Sequence, residues 1–171
     1  AKASKKMSKP AWEGLALVKE EKGQISIIEV NSETDFVAKN QDFINFCKEL
    51  SEINFINKGD LNKINDTKMN NGILVKDNLV NLISKIGEKI IIRRANFFDN
   101  LSGMNFSYVH SATEKDIGKI ISVVKIAGIS EADNKDLGNK IAMHIAASNP
   151  FAIDKDDIDK NIVDKELEII E

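Results

Sequence analysis

Apolar residues in this chain recur first at the spacing of strands, then at the spacing of helices, and the order of those changes admits few folds. Gly14 to Lys19 and Gln24 to Asn31 read as two strands, the second carrying Ile25, Ile27, Ile28 and Val30. Glu20-Glu21-Lys22-Gly23 between them is polar and offers a glycine for a positive φ, so the pair reads as a hairpin. Phe43, Phe46, Cys47 and Leu50 then form a helical stripe, with Asn40 as its N-cap. Residues 57–75 are polar and read mostly as loop. Leu79, Leu82, Ile83 and Ile86 repeat the stripe, with Asp77 or Asn78 to cap its start and Gly87 where a left-handed residue closes a helix. Lys89 to Phe98 reads as a strand, Asn100 to Gly103 as a turn, and Asn105 to His110 as the antiparallel neighbour of that strand. Lys119 to Ala127 is almost continuously apolar, which predicts a central strand covered on at least one face. A helix from about Asp133 to Ser148 buries Leu137, Ile141 and Ile145 and ends before Pro150. Strand pairs mixed with helices, without strict strand–helix–strand alternation, make an α+β fold with antiparallel sheet.

The ends read differently from the middle. Residues 1–12 read as a linker, with four lysines, small residues and Pro10. The stretch from Asp154 is acidic, and Ile158, Ile162, Val163, Leu167 and Ile170 give it one apolar helical face. It stops at Glu171 without a helix breaker, so further chain is expected.

Composition narrows the function classes. The 171 residues are 42% apolar and 30% charged, enough for a packed core, and the net charge of −3 disfavours nucleic-acid binding through overall positive charge. Cys47 is the one cysteine, so no intrachain disulfide forms, and its place on an apolar stripe predicts a buried thiol. No apolar run approaches the roughly 18 residues that span a bilayer.

Local catalytic motifs are missing. The sequence has no phosphate-cradling glycine loop, no paired cysteines at metal-ligand spacing and no His-Glu-x-x-His run, so no catalytic residue, metal or cofactor is predicted. His110 and His144 could serve acid–base chemistry only if the fold brought one of them to a carboxylate. The segment from Asn31 to Asn40 stands out because it joins a strand to a helix, where a rigid scaffold positions functional loops. Residue by residue it has a plain structural reading: Thr34 caps a helix starting at Asp35, and Phe36, seven residues before Phe43, belongs to the core stripe. His144, three residues after Ile141, reads as a packed helix histidine.

Five collinear blocks add a further reading. Thr34-Asp35-Phe36-Val37-Ala38-Lys39-Asn40, preceded by Glu29-Val30-Asn31, resembles the signature of the elongation factor Ts family. Glu13-Gly14-Leu15, the run from Lys85 to Arg94, Asp116-Ile117-Gly118-Lys119-Ile120 and the run from Ile141 to Pro150 resemble further family blocks in the same order. Ser32 and Trp12 depart from the family pattern.

The resemblance implies two small subdomains of the family's dimerisation-domain type, with antiparallel sheet packed on helices. Residues 1–12 would be a linker after an N-terminal helical domain, 13–131 an N-terminal core subdomain and 132–171 the incomplete start of a C-terminal one. It implies a guanine-nucleotide exchange factor rather than an enzyme, binding the GTPase elongation factor Tu, GDP-bound and nucleotide-free, and promoting GDP release in translation elongation. Asp35 and Phe36 would form the tip entering the GTPase domain near the partner's magnesium and phosphate site, flanked by Thr34 and Val37. Ile117 and Gly118 would pack nearby, and Met143 and His144 would press on the same domain. Phe36 is then expected on the surface, against its periodicity. The resemblance implies no cofactor, nucleic acid or membrane, leaves room for a homodimer, and places the protein in the bacterial cytoplasm, with mitochondrion or plastid as alternatives. The alternative function is an interaction module of the same fold without exchange activity.

Overall fold

The computed structural model describes residues 11–128 and 131–170. The expected linker therefore lies outside the described residues, apart from Ala11 and Trp12.

Strands β1 (Glu13–Glu21) and β2 (Gln24–Ser32) pair in antiparallel register from Glu13 opposite Ser32 to Glu21 opposite Gln24. The two-residue loop between them, Lys22-Gly23, has positive φ at both positions, the geometry whose twist matches a hairpin. Helix α1 (Gln41–Ile56) starts where expected, with Asn40 Oδ1 accepting from the Asp42 and Phe43 amides. Its stripe of Phe43, Phe46, Cys47, Leu50 and Ile53 packs on Leu15, Leu17, Ile28 and Val30 of the hairpin. Asn54, fully buried at the end of that stripe, donates to Ile27 O and ties α1 to β2.

Residues 57–75 are mostly turn and loop, as expected, but they also hold one short helix. Asp60 caps a short helix α2 (Leu61–Asn65), whose Ile64 is fully buried in the core. Ile64 and the partly buried Leu61 are its apolar anchors, and two such residues in one short turn are too few for periodicity to register. Helix α3 (Val75–Ile86) begins before Asp77 and Asn78, and neither caps it. Asn78 lies inside the first turn, and its Nδ2 donates back to Ile73 O and Asn71 Oδ1. Gly87 closes the helix at φ 80°, as expected. Strand β3 (Ile90–Phe98) then joins the sheet antiparallel to β2.

The next strand departs from expectation. β4 (Met104–His110) does not pair with β3; it pairs antiparallel with β6 (Ile120–Ile126), from Met104 opposite Ile126 to His110 opposite Ile120. The cause is a polar clasp at the turn. Asn105 Nδ2 lies within hydrogen-bond distance of Gly23 O, Phe98 O and Asp99 O, and Asn100 Nδ2 donates to Lys22 O. These bonds fasten the end of β3 to the β1–β2 turn and send the chain off into a second layer.

Among the described residues two sheets result: β3-β2-β1-β5, with β5 (Ile117–Gly118) antiparallel to β1, and the pair β4-β6. β6 is thus not central in its sheet; β4 is its paired neighbour, and helix α4 (Glu131–Ser148) covers one face. That helix does not bury Leu137, which is half exposed. It seats Gly138 and Ala142 instead: a Cβ on Gly138 would fall 2.2 Å from the Phe106 ring, and Ala142 O accepts from Ser122 Oγ. Ile141 and Ile145 flank this line and are half-buried. Small residues carry the contact because they let the helix backbone approach the sheet, a pattern that an apolar stripe count misses. α4 packs on β4 and β6.

The acidic stretch forms helix α5 (Lys160–Ile170). Its Ile162 is exposed and Val163 half-buried, while the side chains of Leu167 and Ile170 lie outside the described residues. Among the described residues no helix is long and apolar enough to cross a membrane.

Candidate functional site

The junction between β2 and α1 is built from both of its ends. Ser32, fully buried, donates through Oγ to Thr34 O at 2.9 Å. Thr34 does not cap a helix. Its amide donates to Glu88 Oε2 at 3.0 Å and its hydroxyl to Glu88 Oε1 at 2.8 Å. No α-helix starts at Asp35; the chain makes one 3₁₀ turn, Val37–Lys39, and returns to extended backbone at Asn40. Val37 and Ala38 are buried in the core cluster with Leu15, Phe43 and Ile117.

That geometry decides Phe36. Its seven-residue spacing to Phe43 would bury it only if one continuous helix joined them. The 3₁₀ turn and the extended Asn40 break that helical phase, and Val37 and Ala38 take the inward places. Phe36 is 74% exposed, while Val37 next to it is 3% exposed. Beside the ring, Asp35 lies 3.9 Å from Lys39 Nζ, and that ammonium stands 5.9 Å from the Phe36 centroid. The tip is therefore a rigid apolar ring flanked by one charge of each sign. A cleft of about 560 Å³ lies against the same junction, lined by Glu33, Ile83, Glu88, Ile90 and Ile91 among others.

The other expected site residues divide into two groups. Ile117 is a core residue paired opposite Leu17, and Gly118 is buried opposite Ala16. A Cβ on Gly118 would fall 2.6 Å from Val109 Cγ1 and 2.7 Å from His110 O, so glycine here lets β5 pass under the end of β4. Val37, Ile117 and Gly118 are buried rather than surface groups. Met143 and His144 are both exposed, on α4, which packs on β4 and β6. The His144 ring nitrogens stand 3.4 Å from Ser148 Oγ, one turn along the helix. His110, exposed at the end of β4, has its ring 6.2 Å from that of Tyr108.

Two carboxylates at this junction escaped the sequence reading. Glu88 holds Thr34, and Glu33 Oε1 accepts from the Lys89 amide at 2.9 Å. Both are charged residues in polar stretches, and only the meeting of two junctions 54 residues apart gives Glu88 its role toward Thr34. Elsewhere, partial burial pushes the Glu29 carboxyl upward, but bonds from Asn31 and Arg94, with Arg93 also near, outweigh it and hold the group below its ordinary range. Burial pushes the Cys47 thiol far above its usual value, which leaves it a core group and not a nucleophile.

The profile of the family described as Elongation factor TS matches residues 33–171. The chain is 40% identical over 173 residues to an elongation factor Ts of Maricaulis maris, covering 99% of this chain and 55% of that protein. It is 36% identical over 171 residues to one of Caulobacter vibrioides, covering 97% of this chain and 55% of the relative. One of Gluconobacter oxydans is 37% identical over 171 residues, with 99% and 57% covered. The chain thus spans little more than half the length of these relatives.

Proposed function

The chain belongs to the elongation factor Ts family, and from that premise we propose that it binds the GTPase elongation factor Tu and promotes release of GDP during translation elongation. The observation that carries this reading is Phe36, a 74% exposed aromatic on a loop pinned on both sides. An exposed ring held in one place buries a large area on binding at small entropic cost, the usual character of an interface anchor.

The work asked of such a surface is thermodynamic. No bond is made or broken, so no acid, base or nucleophile is needed. The surface must bind the nucleotide-free GTPase better than the GDP-bound one, and linkage then weakens GDP by the same ratio. Phe36 would act as the wedge, with Thr34 and Asp35 shaping the tip. Val37, Ile117 and Gly118 would act from below by fixing the ground it stands on, and Met143 and His144 would give a second contact on the same partner. Asp35 is paired with Lys39, which favours a part in shaping the loop over a free charge aimed at the partner's magnesium site. The bacterial relatives support a cytoplasmic place of action.

The test is stopped-flow release of a fluorescent GDP analogue from elongation factor Tu, with and without this chain. Release should accelerate in proportion to the chain's concentration until binding saturates. Binding without any acceleration would favour an interaction module of the same fold and end the exchange reading.

A further inference from the structure

A wedge needs a fixed footing, and the downstream half of that footing is plain: Val37 and Ala38 are locked in the core. The upstream half comes from the junction between α3 and β3. Gly87 closes α3 in the left-handed region, and the next residue, Glu88, accepts two bonds from Thr34, 3.0 Å from its amide and 2.8 Å from its hydroxyl. The grip is returned one residue along, where the Lys89 amide donates to Glu33 at 2.9 Å. Each junction thus offers a carboxylate to the other's backbone. A carboxylate accepting two donors from one residue fixes position and orientation together, and such charge-assisted bonds are about twice as strong as neutral ones.

We propose that Glu88 is a positioning residue for Phe36: by gripping Thr34 it holds the ring out from the surface, so that little ordering remains to be done on binding. The inference rests on the reading of Phe36 as the wedge and adds a residue far from it in sequence. Glu88 does not itself face the partner through this contact. It acts through Thr34, two residues before the ring.

The experiment reads loop order and exchange separately, in the 171-residue chain. Glu88→Ala should speed exchange of the Thr34 amide proton by at least about tenfold, since its acceptor is gone, and cut the acceleration of GDP-analogue release by about tenfold. Glu88→Gln keeps one acceptor oxygen and should fall between the two. It also carries the test if the alanine variant loses its fold. In a Phe36→Ala background the Glu88→Ala change should cost little further, because the ring through which Glu88 acts is already gone. Unchanged Thr34 protection in both Glu88 variants would overturn the clasp. A full loss from Glu88→Ala in the Phe36→Ala background would overturn its action through the ring. If Phe36→Ala left exchange intact while Thr34 protection still depended on Glu88, the wedge reading would fall, and the positioning role with it.

Discussion

The loop at residues 33–40 and helix α4 both carry family-like residues on their surface, and they hold them by different means. In the loop, Phe36 is exposed because its neighbours are not: Val37 and Ala38 are in the core, and Thr34 is gripped by Glu88 from another junction. On α4, Met143 and His144 are exposed because the helix turns them outward while Gly138 and Ala142 face the sheet. The first surface is fixed by tertiary contacts from several elements. The second is fixed by the regularity of one helix lying on two strands. A rigid, many-sided support suits a group that must distort its partner, whereas a helix face suits a group that adds contact area.

The sharpest way to break this contrast is Phe36→Ala. Truncating an interface aromatic costs on the order of 2–4 kcal/mol of interaction, so acceleration of nucleotide release should nearly vanish. Stability should move by no more than about 0.5 kcal/mol, the usual range for surface changes. A core phenylalanine would behave oppositely, losing roughly 3–5 kcal/mol of stability. A large drop in the urea midpoint would therefore remove Phe36 from the surface and the contrast with it.

Next in size is Gly138→Val, which tests the other support. The new side chain meets the Phe106 ring, and overpacking of this kind costs typically 1–3 kcal/mol. The loss should be local: amide exchange should quicken across β4, β6 and α4 while Thr34 and the β1–β2 hairpin keep their protection. Equal loosening everywhere would show that the two layers fold as one unit.

His144→Ala should do less. Its ring is exposed and its described contact is the weak approach to Ser148, so the melting temperature should barely change. Nucleotide release should slow by a factor of about five, the size of a contact worth about 1 kcal/mol at an interface rim. A purely thermal effect would return His144 to the part of a packed helix histidine.

The elements that sequence read correctly are those whose signal is local. The β1–β2 hairpin is written in alternation plus Lys22-Gly23, and α1 in its stripe plus Asn40. What sequence missed depends on contacts between distant segments. β4 left β3 where Asn105 Nδ2 reaches the carbonyls of Gly23, Phe98 and Asp99, and no spacing rule anticipates one side chain tying its own strand to two other segments. The buried face of α4 was misplaced onto Leu137 because glycine and alanine score as weakly apolar, although they permit the closest approach. At the candidate site, periodicity put Phe36 inside by assuming an unbroken helix, and the family resemblance put it outside. Its exposure agrees with the resemblance, while Val37, Ile117 and Gly118, which the resemblance grouped with it, lie beneath the surface.

The smallest expected effect probes the sheet under the loop. Glu29 is one of the few charged groups largely covered, and it is bonded by Arg94 at 2.5 Å and by Asn31 at 3.0 Å. Burial alone would raise its carboxyl; those partners outweigh burial and lower it. A carboxyl lowered in the folded state contributes stability that is complete above its unfolded value and is lost as pH falls through its folded one. The loss therefore belongs to the acid side, below about pH 4. Glu29→Gln should cost under about 1 kcal/mol at neutral pH, the scale of a partly exposed ion pair, and flatten the fall in urea midpoint on acidification. Glu29 opposes Arg94 across β2 and β3, next to the register shift between Glu29 and Val30, so acid should loosen this sheet before it affects α4. Urea midpoints of both proteins from pH 3 to 7 measure the slope directly. An unchanged acid slope in Glu29→Gln would mean that the Arg94 pair contributes nothing to holding β2 against β3, and the two strands would then be held by their backbone ladder and apolar packing.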